Sequence, residues 1–144
     1  MSTPSSLPLR VLAEPLLILR RDPNDKVAVT EEIPAWARDG GLFSMTRSDR
    51  ELSLVCWARA LPADEPRPER IWRGLEISGP LDFDLVGILA AVAVPLAEAG
   101  VSIFAISTHD SDYVLVQEPQ LATAIAALRD RGHTVETAPS ESSP

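Results

Sequence analysis

From Trp72 onward the spacing of apolar positions changes repeatedly, and each change marks an element. Trp72–Ser78 has strand character and is broken by Gly79-Pro80. Leu85, Ile88, Leu89, Val92 and Leu96 then fall at i, i+3, i+4, i+7 and i+11, the signature of one helical face. Asp82 or Asp84 is placed to cap that helix, and Gly100 to end it. Pro95 removes one helical hydrogen bond and predicts a kink in the last turn. Val101–Ile106 is nearly apolar on both faces, which predicts a central, covered strand. A polar turn over Ser107–Ser111 leads to a further strand, Asp112–Val116. Pro119 suits the first turn of a second helix, with Leu121, Ala124, Ile125 and Leu128 on one face and Gly132 beyond its end. Thr134-Val135-Glu136 reads as a last strand. The order is βαββαβ, an α+β chain of the ferredoxin-like kind.

The first half is less regular but echoes the second. Displaced by 61 residues and without gaps, Ile33–Val55 overlies Val94–Val116. Pro34 then meets Pro95, Phe43 meets Phe104, Asp49 meets Asp110, and Leu54-Val55 meet Leu115-Val116. The shared order of helix end, strand, polar turn and strand points to duplication. Asp22–Thr30 is too short and polar to match the helix of the second copy, so the first copy is degenerate. Between the copies lies PADEPRPER, a charged proline-rich spacer unsuited to strand or helix. The expected division is a degenerate unit over 9–60 and a full unit over 71–136, with Ser/Pro-rich tails at 1–8 and 137–144.

Charge narrows the partners. The 144 residues carry a formal charge of −8 with a single lysine, which argues against nucleic acid as a ligand. The lone cysteine, Cys56, lies in the apolar run LSLVCW and excludes both an internal disulfide and a thiolate zinc site. It reads as a buried strand residue. The amino-terminal residues lack the basic and apolar regions of a signal peptide, and Val86–Ala97 is too short to span a bilayer. The expectation is a cytoplasmic protein without membrane contact.

Familiar catalytic patterns are missing: there is no phosphate loop, no histidine pair at metal spacing and no nucleophile elbow. His133, just past a helix end, is placed to interact with terminal carbonyls. Asp110 and Asp112, two residues apart in an extended chain, aim at one face beside His109. That trio reads either as an acid–base or metal site, or as ordinary solvated hairpin residues. Asp82 and Asp84 are explained by capping. The helix start offers free N–H groups near Leu85, Val86 and Gly87, suited to a carboxylate. Gly87 permits either close approach of a ligand or close packing of the helix on the sheet. Ser102, Ser107 and Thr108, at strand ends, either bond a polar ligand or close turns. Trp36, Trp57 and Trp72 read as packing groups.

The stretch SGPLDFDLVGILAAVAVPLAEAGVSIFAISTHDSDYVLVQ resembles the amino-acid-binding ACT domains, in particular those related to the arginine sensors of the TOR pathway. Gly-Pro-Leu-Asp, Gly-Ile-Leu-Ala, Pro-Leu-x-x-Ala-Gly, Ser-Ile-Phe-x-Ile-Ser-Thr and Asp-Tyr-x-Leu-Val carry the likeness. Ile-Pro-Ala-Trp-Ala and Glu-Leu-Ser-Leu-Val-Cys resemble the shortened first half of the same small proteins, so the likeness covers most of Leu16–Val135. It implies a tandem pair of ACT units with an amino acid bound between paired domains. By that likeness Leu85, Val86 and Gly87 offer backbone groups to the ligand, and Ser102 and Ile103 contact its head group across the domain pair. Thr108, His109 and Asp112 match the turn that holds the ligand's amino group, with Asp112 as the carboxylate. The implied protein is a non-enzymatic regulator without cofactor or metal, a homodimer that passes its signal to a protein effector. Two rivals are a ligand-free interaction module with the same fold and an enzyme using Asp110, Asp112 and His109.

Overall fold

The computed structural model describes residues 6–24, 35–38, 41–77 and 87–137. The chain divides into two compact units, one formed by residues 1–13 with 73–144 and the other by residues 14–72.

In the larger unit, β1 (Pro8–Val11) pairs antiparallel with β5 (Trp72–Ile77) and parallel with β8 (Thr134–Glu136). Strand β7 (Asp112–Gln117) pairs with β5 and with β6 (Ile103–Ser107), giving the order β8-β1-β5-β7-β6. Helices α1 (Ile88–Glu98) and α2 (Leu121–Asp130) complete the βαββαβ succession expected from the apolar spacing. Alternation sorts the strands cleanly: Leu9, Val11, Leu75, Ile77, Val114, Val116 and Val135 join Ile88, Val92, Leu96, Ala124 and Leu128 in one apolar core. Arg10, Glu76 and Tyr113, at the intervening positions, form a polar network.

Both helices stop in the same way. Gly100 (φ +77°) sends its N–H to Ala97 O at 3.0 Å, and Val101 N–H returns to Leu96 O at 2.9 Å. Gly132 (φ +93°) bonds to Arg129 O at 3.0 Å and His133 N–H to Leu128 O at 3.2 Å. These paired bonds satisfy terminal carbonyls and need a residue that tolerates positive φ. Both glycines were legible as helix ends.

Four expectations need correction. Strand β6 is not central: among the described strands it pairs with β7 alone, and Ala105 and Ser107 are exposed. Helix α1 begins at Ile88, with Gly87 (φ +81°) in the cap position and no side-chain cap among the described residues. Asp82, Asp84, Leu85 and Val86 lie outside the described residues. Residues 9–13, grouped at first with the amino-terminal unit, belong to the larger one, because β1 fills the place between β5 and β8. Leu7, assigned to a tail, is buried in the same core.

The smaller unit contains β2 (Leu16–Arg21), β3 (Ser44–Arg47) and β4 (Leu52–Trp57), with β4 between the other two. Its core is Leu17, Leu19, Leu52, Leu54, Cys56 and Leu61. Trp36, on a single 3-10 turn over Ala35–Arg38, and Phe43 and Met45 pack against it. A bulky indole on one short turn thus does part of the covering that α1 does in the larger unit.

Candidate functional site

The residues singled out by sequence sort to two ends of β6. Its carboxyl end runs into a four-residue turn closed by Thr108 N–H to Ser111 O at 2.8 Å. The Thr108 hydroxyl accepts Ser111 N–H at 3.1 Å, so the turn is held from both sides. The Ser107 hydroxyl donates to the Asp112 carboxylate across the mouth of the hairpin, where the two residues are registered opposite each other. Asp112 shares its strand face with Val114 and Val116, which point into the helix-covered core. Its carboxylate therefore lies on the same side of the sheet as α1. His109 Nδ1 and Asp110 Oδ1 lie within hydrogen-bond distance at 2.6 Å, and both side chains are largely exposed.

At the other end, Val101 is buried, Ser102 is exposed and Ile103 packs partly into the core. The chain reverses tightly between α1 and β6, so the helix runs back over the strand. That reversal carries the α1 amino terminus toward the Asp112 end of β6, and leaves Ser102 at the α1 carboxyl terminus. A five-residue strand spans roughly 13 Å. Within one chain Gly87, Thr108 and Asp112 therefore share one end, and Ser102 and Ile103 lie at the opposite one.

Gly87 accepts the first helical bond, from Ala91 N–H at 2.8 Å. With no side chain among the described residues capping α1, the N–H groups of Ile88, Leu89 and Ala90 present the positive end of the helix to whatever lies before it. The positive φ explains the glycine by itself, since a residue with a Cβ is strained there.

The duplication takes on a structural form at the turn. Ser48 N–H bonds to Glu51 O at 2.9 Å, repeating the Thr108–Ser111 closure at an offset of 60 residues where sequence matching gave 61. The Ser48 hydroxyl accepts from Arg50 and Glu51 N–H, both at 3.2 Å. At this offset Leu52, fully buried, stands where the larger unit has Asp112. The smaller unit lacks that carboxylate because its strand face is given wholly to core.

Among the described residues no group of three or more His, Cys, Asp or Glu side chains is arranged to hold a metal ion. Nor is any helix among them long and apolar enough to cross a membrane. His133 has a task that its place in the sequence did not reveal. Its Nδ1 accepts Leu7 N–H at 3.0 Å, so the remaining ring proton sits on Nε2 and is donated to Ala91 O at 3.0 Å. Ala91 O is the acceptor that Pro95, lacking an N–H, leaves empty. One neutral imidazole thereby ties the start of β1 to the proline gap in α1.

Two helices against a five-stranded sheet, in βαββαβ order with an added amino-terminal strand, define an α+β domain of the ferredoxin-like class. Residues 67–130 match the family model described as the ACT domain, and the chain belongs to the ACT-domain family. A second model, of an N-terminal domain, matches residues 26–64. The mouse (Mus musculus) cytosolic arginine sensor for mTORC1 subunit 1 is 31% identical over 121 residues, covering 74% of this chain. The chain spans 37% of that sensor's length. Among solved structures, a crystal structure from Agrobacterium tumefaciens is 34% identical with a TM-score of 0.78, covering 93% of this chain and 95% of that one. The regulatory subunit of aspartate kinase from Thermus thermophilus shares the fold at 15% identity and TM-score 0.59, with 85% of this chain and 97% of that one covered.

Proposed function

We propose that this chain is a non-enzymatic regulatory protein that binds a small amino acid at a site completed by a second copy. The carrying observation is the edge strand β6, apolar from Ile103 to Ile106 yet paired with β7 alone among the described strands. Apolar strand edges invite pairing with another chain. Antiparallel pairing of two β6 strands about Ala105 sets the start of one beside the end of the other. Ser102 of the partner subunit then approaches the Gly87, Thr108 and Asp112 end of the first. The two groups of residues, apart in one chain, meet across the two-fold axis. A ligand carboxylate is suited to the N–H groups of the α1 start, and its ammonium to Asp112. On this reading Ile103 of the partner subunit arrives together with Ser102, and His109 stands at the rim; Leu85 and Val86, outside the described residues, keep the part that the family likeness implies. The names of the relatives, an arginine sensor and a kinase regulatory subunit, favour regulation by an amino acid and a cytoplasmic setting. Output then passes to a protein effector.

A second reading rests on the turn itself. Asp112 is already bonded by Ser107, and Thr108 by Ser111, so these groups are satisfied without a ligand. On that reading the protein is an oligomerisation module that has kept the fold and lost the ligand.

Calorimetric titration of the chain with the twenty amino acids, arginine first, separates the two when joined to light-scattering mass measurement. The binding reading expects one amino acid to bind and Asp112→Ala to weaken it by about tenfold or more, with thermal unfolding and the dimer mass retained. Ala105→Lys, which sets a charge on the paired edge, yields a monomer that no longer binds. A dimer that binds no amino acid and ignores Asp112→Ala supports the second reading and sinks the first.

A further inference from the structure

We propose that the smaller unit carries its own site for a small organic oxyanion, bearing carboxylate or phosphate groups, between the edge of β2 and the Pro66-Arg67-Pro68 segment. A cavity of about 380 Å³ lies there, lined by Ile18, Leu19, Arg20, Arg21 and those three residues. That size falls within the range of sites for small molecules.

The cavity follows from sequence. Strand β2 pairs residue for residue with β4, but its other edge meets a strand only at Leu16, opposite Trp72. From Ile18 to Arg21 the outer backbone N–H and C=O groups have no strand partner among the described residues. Pro66 and Pro68 lack the N–H groups needed to continue a ladder, so the spacer lines this edge without closing onto it.

Three arginines gather around the opening in a chain whose formal charge is −8. Arg21, with a side chain only 21% exposed, is held by Glu65. Arg67 Nη2 donates to Ala58 O at 3.1 Å, and Arg20 Nη2 to Arg50 O at 3.2 Å. Each anchor uses part of a guanidinium's five N–H groups and fixes its plane, leaving further donors for an oxyanion. Glu65 pairs with Arg21, whereas Arg20 and Arg67 bond to backbone carbonyls, so three guanidinium charges face one carboxylate at the mouth. The field reaches inward as well. Burial pushes the Cys56 thiol up, while the charges of Arg67 and Arg21 pull against it. Ile18, Leu19, Pro66 and Pro68 supply apolar walls for a short carbon skeleton.

The test uses the whole ¹⁵N-labelled chain titrated separately with citrate and with inorganic phosphate, read by amide chemical shifts. Saturable shifts confined to residues 18–21 and to Arg67 and Glu65 support the site. Citrate alone binding assigns it to carboxylates, and phosphate alone to phosphate groups. Arg20→Gln with Arg67→Gln, both at exposed positions, is expected to weaken binding by roughly tenfold or more while the spectrum of the larger unit stays unchanged. Shifts scattered over the surface, no saturation with either anion, or equal affinity in the double variant would overturn the proposal.

Discussion

Glu76 divides its two carboxylate oxygens between strands on either side of β5. Oε1 accepts from Arg10 Nη2 at 2.6 Å, and Oε2 accepts the Tyr113 hydroxyl at 2.9 Å. Burial raises the Tyr113 phenol above its ordinary value of 10, and donation to Glu76 raises it further, against opposing pulls from Ser111 and Arg10. Tyr113 is the single tyrosine, so absorbance near 295 nm on alkaline titration reports this group alone. Glu76→Gln is expected to bring the midpoint down toward 10; an unchanged midpoint would show that the bond does not form. The sign for stability follows directly. A phenol raised in the folded state contributes fully below pH 10, and that contribution is lost as pH rises through the folded value. None of this was legible beforehand, because Arg10 and Tyr113 are 103 positions apart and only the register brings both to Glu76. Asp112 lies at the opposite extreme. Its place just after a polar turn was plain from its neighbours, whereas its distance from Ser102 within one chain was not.

At the scale of elements, α1 depends on a residue from the far end of the chain. The proline inside it leaves Ala91 O without a helical donor, and His133 fills the gap. Removing the imidazole strands both Ala91 O and Leu7 N–H in a region where Leu7 and His133 are nearly inaccessible to water. His133→Ala is therefore expected to destabilise by about 2–4 kcal/mol in urea unfolding. Pro95→Ala restores an N–H for Ala91 O, so the His133→Ala loss is expected to shrink by about 1 kcal/mol in that background. Strictly additive losses would refute the link. The helices, their glycine stops and the β6–β7 hairpin were legible because each is set by spacing within some fifteen residues. The role of β6 was not. An apolar strand reads the same whether neighbours cover it or it waits at an edge. The repeat also drifted by one residue at its turn, which hid the exchange of Asp112 for Leu52.

At the scale of the whole molecule, the separation into two apolar cores follows from the sequence, but the membership of β1 does not. Four residues carry too little pattern to announce a partner some sixty positions away. A polypeptide of residues 71–136 alone lacks the strand between β5 and β8 and is expected to show no cooperative unfolding by circular dichroism. Adding residues 6–13 back through a short linker is expected to restore it, and a fully cooperative 71–136 would count against the assignment.

The same strand sets a schedule during synthesis. Val11 leaves the ribosome long before its partner Leu75 exists. At 5–20 residues per second that interval is roughly 3–13 s. The strands β2, β3 and β4 of the smaller unit are translated within it. They have time to assemble, and the emerging chain's first strand must stay unclaimed meanwhile. A strand of four residues, opened by a proline and bearing a charged arginine, is a poor template for aggregation. Its brevity, which hid its place from the sequence, is what lets it wait.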